Sequence, residues 1–198
     1  MSQFPFDLTA TGKWTVADDE ITATAPPRSD IFISPGGPAG ESPAPVLNAA
    51  TLLGSAPPGD FQLSARVSVD FVSTFDAGAL MVWIDDHHWA KLCFEFSPER
   101  EPMVVSVVAR GVADDANSHV VDGAHIWLRI SHIDRAYAFH ASPDGLTWRL
   151  IRFFAIDDGT SPVQAGLVAQ APTGDGCSVR FDHVTFSSTR LGDIRDGS

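Results

Sequence analysis

From Phe61 to Ser187 the chain alternates apolar and polar residues in short runs broken by Gly, Pro, Asp and Asn, the period-two signature of half-buried strands. Strands are predicted over Phe61–Phe71, Gly78–Ile84, Ala90–Phe96, Val104–Arg110, His125–His132, Tyr137–Ser142, Arg149–Ala155, Val163–Gln170 and Cys177–Ser187. No segment between them repeats at the helical period of 3.6 residues. The best helical stretch is Ala49–Leu53, flanked by Asn48 as a start and Gly54 as a stop, and it is long enough only for a connector. Many short strands without crossover helices predict an all-β fold, a sandwich of two antiparallel sheets packed face to face.

A length of 198 residues fits one domain, and 44% hydrophobic against 19% charged residues gives it enough apolar material for a core. The sandwich is expected to occupy residues 1–189, with 190–198 a polar, flexible C-terminal tail. Between Ala25 and Pro58, eight prolines (Pro26, Pro27, Pro35, Pro38, Pro43, Pro45, Pro57 and Pro58) break any long ladder. This segment reads as an excursion over the surface, with an edge strand at Ile31–Ile33.

Thirteen basic against twenty-five acidic residues give a formal charge of -12, which repels phosphate backbones and anionic lipid headgroups and argues against nucleic acid or membrane-surface partners. Apolar runs such as Ala79–Ile84 and Met103–Ala109 are far shorter than the roughly 20 residues of a membrane-crossing helix. Cys93 and Cys177 sit in no CxxC or Cys/His cluster, and no secretory leader is read at the start. Two reduced thiols and a cytoplasmic location are the expectation.

In Trp89–Phe96 the pleat sends Ala90, Leu92, Phe94 and Phe96 to the core and Trp89, Lys91, Cys93 and Glu95 to the other face. The same rule puts Trp83 outward on the preceding strand, Trp127 and Arg129 outward on His125–His132, and Arg110 with the outward set. Flat indoles beside amine, guanidinium and carboxylate groups suit sugar rings, which present apolar C–H faces and rims of hydroxyls. With Lys91 and Arg129 free of Glu95, the same face would also take a sugar acid or another organic acid. The plainer alternative is a cross-strand ladder of ion pairs with tryptophans merely covering the sheet.

Other motifs carry less. Asp85-Asp86-His87-His88 lies between two strands and reads as a hairpin turn, and no histidine pair has zinc-site spacing, so no metal site is assigned. Ser142-Pro143-Asp144-Gly145-Leu146-Thr147-Trp148 reads as a structural Asx-type turn over an indole. Asp18-Asp19, Asp114-Asp115 and Asp157-Asp158 could each contribute oxygens to a calcium-binding loop, while each pair alone reads as a solvated turn. Neither a GxSxG elbow nor a phosphate-cradling glycine loop occurs.

Three stretches resemble a known family: Phe75 to Val82 with Trp89-Ala90-Lys91-Leu92-Cys93-Phe94-Glu95, then Ile126 to Ile130 with Ser142 to Trp148, then Ala165 to Ala169 with Val179 to Val184. They are similar to the "yDxaGLmv … WvKxgxE", "lwlRi … SxDGxxW" and "vGlyaasp … vxFddf" patterns of the DUF1349 family, named after the yeast regulation of enolase protein. The resemblance runs from Trp14 to Phe186. It implies a concanavalin A-like jelly roll with a concave outer face, as in lectins and glucanases that hold sugars there, and it implies no settled activity, cofactor or metal. The family's "TDfW" segment corresponds to Ser29-Asp30-Ile31-Phe32, which keeps the acid, adds Asp30 to the candidate site, and replaces Trp by Phe32. The glucanases' ExDxxE strand has no counterpart, which counts against that hydrolysis.

The candidate site is therefore Asp30, Trp83, Trp89, Lys91, Glu95, Arg110, Trp127 and Arg129. The leading expectation is a jelly-roll protein that holds a small saccharide or sugar acid. One alternative is a sugar hydrolase, lyase or isomerase using Glu95 as acid or base. The other is a non-catalytic regulator of a metabolic enzyme.

Overall fold

The computed structural model describes residues 4–38, 44–157 and 159–198; Pro43 of the proline run and Asp158 of the third acid pair lie outside the described residues. The first half of the chain forms β1 (Thr9–Thr11), β2 (Lys13–Val16), β3 (Glu20–Thr24), β4 (Ile31–Phe32), β5 (Val46–Leu47), β6 (Ala50–Ser55), β7 (Phe61–Asp70) and β8 (Ala77–Asp85). The second half forms β9 (His88–Phe96), β10 (Pro102–Arg110), β11 (Val112–Val120), β12 (His125–Ile133), β13 (Ala136–Ser142), β14 (Arg149–Phe154), β15 (Gln164–Gln170) and β16 (Ser178–Ser187). Among the described residues there is no helix.

Two seven-stranded antiparallel sheets pack face to face. The first runs β1-β6-β15-β8-β9-β10-β11 and the second β14-β13-β12-β7-β16-β3-β2. Between them lies the main core, built from the inward set of each strand: Leu80 and Val82 of β8, Leu92 and Phe94 of β9, Leu63 and Val67 of β7, Leu128 and Ile130 of β12. Gly78 is required where β8 passes closest to the second sheet, because a Cβ there would stand 2.5 Å from Val179 and 2.7 Å from Val67.

The strands differ from the sequence reading in two places. Ala49–Leu53 is not a helical turn: Ala50–Ser55 is a strand whose two faces are both covered, Ala50 and Leu52 by the main core and Leu53 by residues on the far side of the sheet. A strand buried on both faces loses its alternation and looks like any short apolar run. Val112–Val120, unassigned from sequence, is the edge strand β11; its exposed Asp and Asn residues hide the pattern. In the C-terminal segment Leu191 is buried against Ile133 and Ala138 on the outer face of the second sheet.

The proline-rich segment also has a definite structure. β4 pairs with β5, with Ile31 opposite Leu47, and this two-stranded flap lies across the outer face of the first sheet. Ser29 bridges to Ala171 at the end of β15, and the Ala113 N–H on β11 donates to the Ile33 carbonyl at 2.8 Å. Ile31 and Ile33 are sealed against Met81, Trp89 and Val168, forming a second, smaller core.

Candidate functional site

The flap leaves one corner of the first sheet's outer face uncovered, and there the chain forms a pocket of about 220 Å³. Lys91 and Glu95 of β9 and Val105 and Val107 of β10 form its floor, with Asp115 and Asn117 of β11 along one side. Asp30 and Phe32 of the flap, Gln170 at the end of β15 and Phe75 before β8 close the remaining sides. Strand register brings these groups together: Gln170 pairs with Ala77 and Ala77 with Glu95, while Lys91 pairs with Val107 and Val107 with Asp115. Small residues between them, Ala77, Ala79 and Cys93, leave the hollow.

Lys91 is nearly sealed from solvent, at 2% exposure. Its Nζ donates to Asp30 Oδ1 at 2.9 Å and to Gln170 Oε1 at 2.8 Å. An ammonium has three protons, so one remains to be donated into the pocket that Lys91 lines. Burial disfavours the Lys91 charge, yet the opposing pull of Asp30, with Cys93 and Glu95 behind it, raises its pKa above the ordinary lysine value.

Glu95 is the counterpart. Burial pushes its carboxyl up to about 8; Lys91 opposes the shift, while Asp30 and Asp115 reinforce it. Asp115 is raised in the same direction by burial, against Lys91 and with Asp30. Among the described residues the side chains of Glu95, Asp115 and Asn117 make no hydrogen bond within the protein, although all three line the pocket. The ladder alternative, with Lys91 paired to Glu95, is therefore not what forms: the ammonium turns to the flap's Asp30 and leaves Glu95 free.

The eight sequence-predicted residues separate into groups. Asp30, Lys91 and Glu95 converge. Trp89 lies beside Lys91, whose Nζ is 5.8 Å from the ring centre, but the indole is 0% exposed beneath the flap and cannot touch a ligand. Trp83 is half-buried and packs on the same covered cluster. Arg110 shares the parity of Val104 and Val108, which face the main core; at the strand end its Nη1 reaches the Ala155 carbonyl at 3.1 Å.

Trp127 and Arg129 lie on β12 of the second sheet, on the opposite side of the sandwich. Trp127 packs on His183, their rings 5.1 Å apart, under the Asx-type turn at Gly145. Arg129 stacks over Trp148 at 4.2 Å and donates to the Gly197 carbonyl at 2.5 Å. Outward parity is right for Trp127 and Arg129 on β12, as it is for Trp83, Trp89, Lys91 and Glu95, and wrong for Arg110; but two sheets have two outward faces, and parity does not say which strands share one.

Sequence reasoning missed Phe32, Phe75, Asp115, Asn117 and Gln170 as site residues. For Asp115 and Asn117 a signal existed: with Gly111 as a hairpin turn, positions 113, 115 and 117 fall on the same face as Val105 and Val107. The Asp85 turn bonds internally, its Oδ1 accepting from the His87 N–H at 2.8 Å and lying 2.9 Å from His88 Nδ1. Asp144 likewise accepts the Leu146 and Thr147 N–H groups, the Asx-type turn expected there.

Two antiparallel sheets of seven strands packed face to face define a jelly-roll sandwich. A carbohydrate-binding module, CBM66 from Bacillus subtilis, has this fold with a TM-score of 0.59 at 18% identity over 93% of this chain and 98% of that one. A GH43 protein from Bacillus licheniformis matches with a TM-score of 0.70 at 11% identity, over 89% of this chain and 34% of that one. The chain belongs to the DUF1349 family of proteins of unknown function, whose profile matches residues 8–189. Regulation of enolase protein 1 of Saccharomyces cerevisiae is 29% identical over 129 residues, 65% of this chain and 64% of that protein, so the match spans a little under two thirds of the relative. A functionally unknown protein from the same yeast superposes with a TM-score of 0.78 at 21% identity, covering 92% of this chain and 97% of that one.

Proposed function

We propose that the protein binds a small neutral saccharide in the Lys91–Glu95 pocket. The observation that carries this reading is the set of side chains left without protein partners around one recess: Glu95, Asp115 and Asn117, together with the third proton of Lys91. Glu95 is half-buried, and a polar group so placed without a partner is costly unless water or a ligand satisfies it; Asp115 and Asn117 stand exposed at the rim, and a ring of hydroxyls supplies donors and acceptors for all three. Phe32 and Phe75 give the recess two aromatic walls for the C–H faces of a sugar.

Charge selects among ligands. Asp30 already engages the Lys91 ammonium, Arg129 is on the other sheet, and the remaining ionisable groups of the recess are the carboxyls Glu95 and Asp115. A sugar acid would meet more negative than positive groups, so a neutral sugar is favoured over the acid. Calorimetric titration against glucose, galactose, mannose, xylose and fructose tests the reading. Saturable binding to one of them that Asn117→Ala and Asp115→Ala weaken at least about tenfold is expected; no saturable binding to any would overturn it.

One observation favours a second reading, sugar chemistry at the same site: the Glu95 carboxyl holds its proton near neutral pH, and Asp115 is a second carboxyl in the recess. Release of nitrophenol from aryl glycosides, abolished by Glu95→Gln, would establish it. The absence of release at millimolar substrate would leave binding alone.

A further inference from the structure

We infer that the pocket receives one terminal ring of its ligand and excludes the interior of a polysaccharide. This rests on the saccharide reading above and concerns which part of a sugar the site admits.

The inference follows from the path of the flap. At one end it is tied to β15, the third strand of the sheet, by the Ser29–Ala171 bridge, and at the other to the edge strand β11 by the Ala113–Ile33 hydrogen bond, so it crosses the outer face over β8, β9 and β10. A sheet face left bare would be open from end to end, able to hold a chain along its length. Here the portion beneath the flap is dry and filled: Ile31 and Ile33 are sealed on Met81 and Trp89, each with 2% exposure or less. A ligand cannot continue past Phe32 without displacing this second core. On the other side Phe75, fixed by its N–H donating to the Phe96 carbonyl at 2.7 Å, stands against the recess.

The Lys91–Asp30 ion pair holds the flap to the floor at the point where a through-running chain would pass. The volume agrees. About 220 Å³ is below the ~300–1,000 Å³ usual for pockets that enclose drug-sized ligands, and suits a single ring. Phe32 and Lys91 thus act as the end stop, and among the described residues the only side bounded by exposed strand residues is that of β11, where Asp115 and Asn117 stand.

The test uses the unmodified protein. The monosaccharide that binds best in the panel is compared with its linear dimer and tetramer, and with a tetramer methylated at the non-reducing-end hydroxyls or reduced to the alditol at the other end. An affinity that changes less than about threefold from one unit to four, with binding lost on blocking one end only, is expected. A gain of about tenfold or more with length, or indifference to blocking either end, would overturn the terminal-ring inference while leaving saccharide binding intact. Failure of every monosaccharide and tetramer to bind would overturn both.

Discussion

Lys91 of β9 and Asp30 of the flap meet at 2.9 Å, and this contact joins the sheet floor to the segment that covers it. Lys91 is 3% exposed at its side chain and Asp30 21%, so the lysine is the member that depends on the pair. Lys91→Met removes the buried cation and leaves Asp30 unpaired beside Glu95. A loss of about 2–4 kcal/mol in urea unfolding is expected, below the ~3–5 of a fully sealed pair because Asp30 keeps contact with water. Adding Asp30→Asn should recover part of it. A double variant no better than Lys91→Met would show that the charge pair is not what matters.

Glu95 predicts a pH dependence. Its folded pKa, raised to about 8 chiefly by burial, lies above its unfolded value, so the native state holds a proton that the unfolded state releases between the two. The Glu95 contribution to stability is full below about pH 4.3, falls as pH rises, and is lost by about pH 8. Asp115, also raised, adds to the same trend at its lower end. Unfolding midpoints at pH 5 and pH 8 should differ more in the native protein than in Glu95→Gln, by on the order of 1–3 kcal/mol. Equal differences would show that Glu95 titrates normally.

Trp89 is expected to matter for folding and not for ligand contact. It is sealed under the flap and its indole N–H has no partner among the described residues. Trp89→Phe keeps an aromatic ring and removes the orphaned donor, so ligand affinity should stay within about threefold and stability should fall by no more than about 1–2 kcal/mol. Trp89→Ala opens a cavity beneath Ile31 and Ile33 and should cost about 3–5 kcal/mol. A Trp89→Phe protein that is stable yet has lost all binding would contradict the burial of this ring.

Arg129 anchors the C-terminal tail. Burial lowers its guanidinium to about 10, and its Nη2 donates to the Gly197 carbonyl while Leu191 packs beside Ile133. Arg129→Ala should release residues 192–198 to limited proteolysis and leave saccharide affinity unchanged, since the tail and the pocket are on different sheets. Weakened binding in that variant would show the two faces to be coupled.

The alternation of β7, β8, β9, β10, β12 and β13 determined the all-β class, the strand positions and, Arg110 apart, the inward or outward parity of the candidate side chains, because pleating is local and has a period of two. It made Lys91 and Glu95 legible as neighbours on one face, and the "TDfW"-like segment supplied Asp30. β6 escaped because both its faces are buried, and β11 because its solvent edge tolerates polar residues. Which strands share a sheet is settled by pairings between residues far apart in the chain. The inward parity of Arg110, shared with Val104 and Val108, and the place of Asp115 opposite Val107 follow from local pleating and a hairpin that the sequence reading passed over, whereas tertiary structure alone put Trp127 and Arg129 on the opposite face. The same holds for the flap: its prolines show that it is irregular, but only the burial of Ile31 and Ile33 against Trp89 decides that it folds over the outer face of the first sheet and leaves a pocket at its corner.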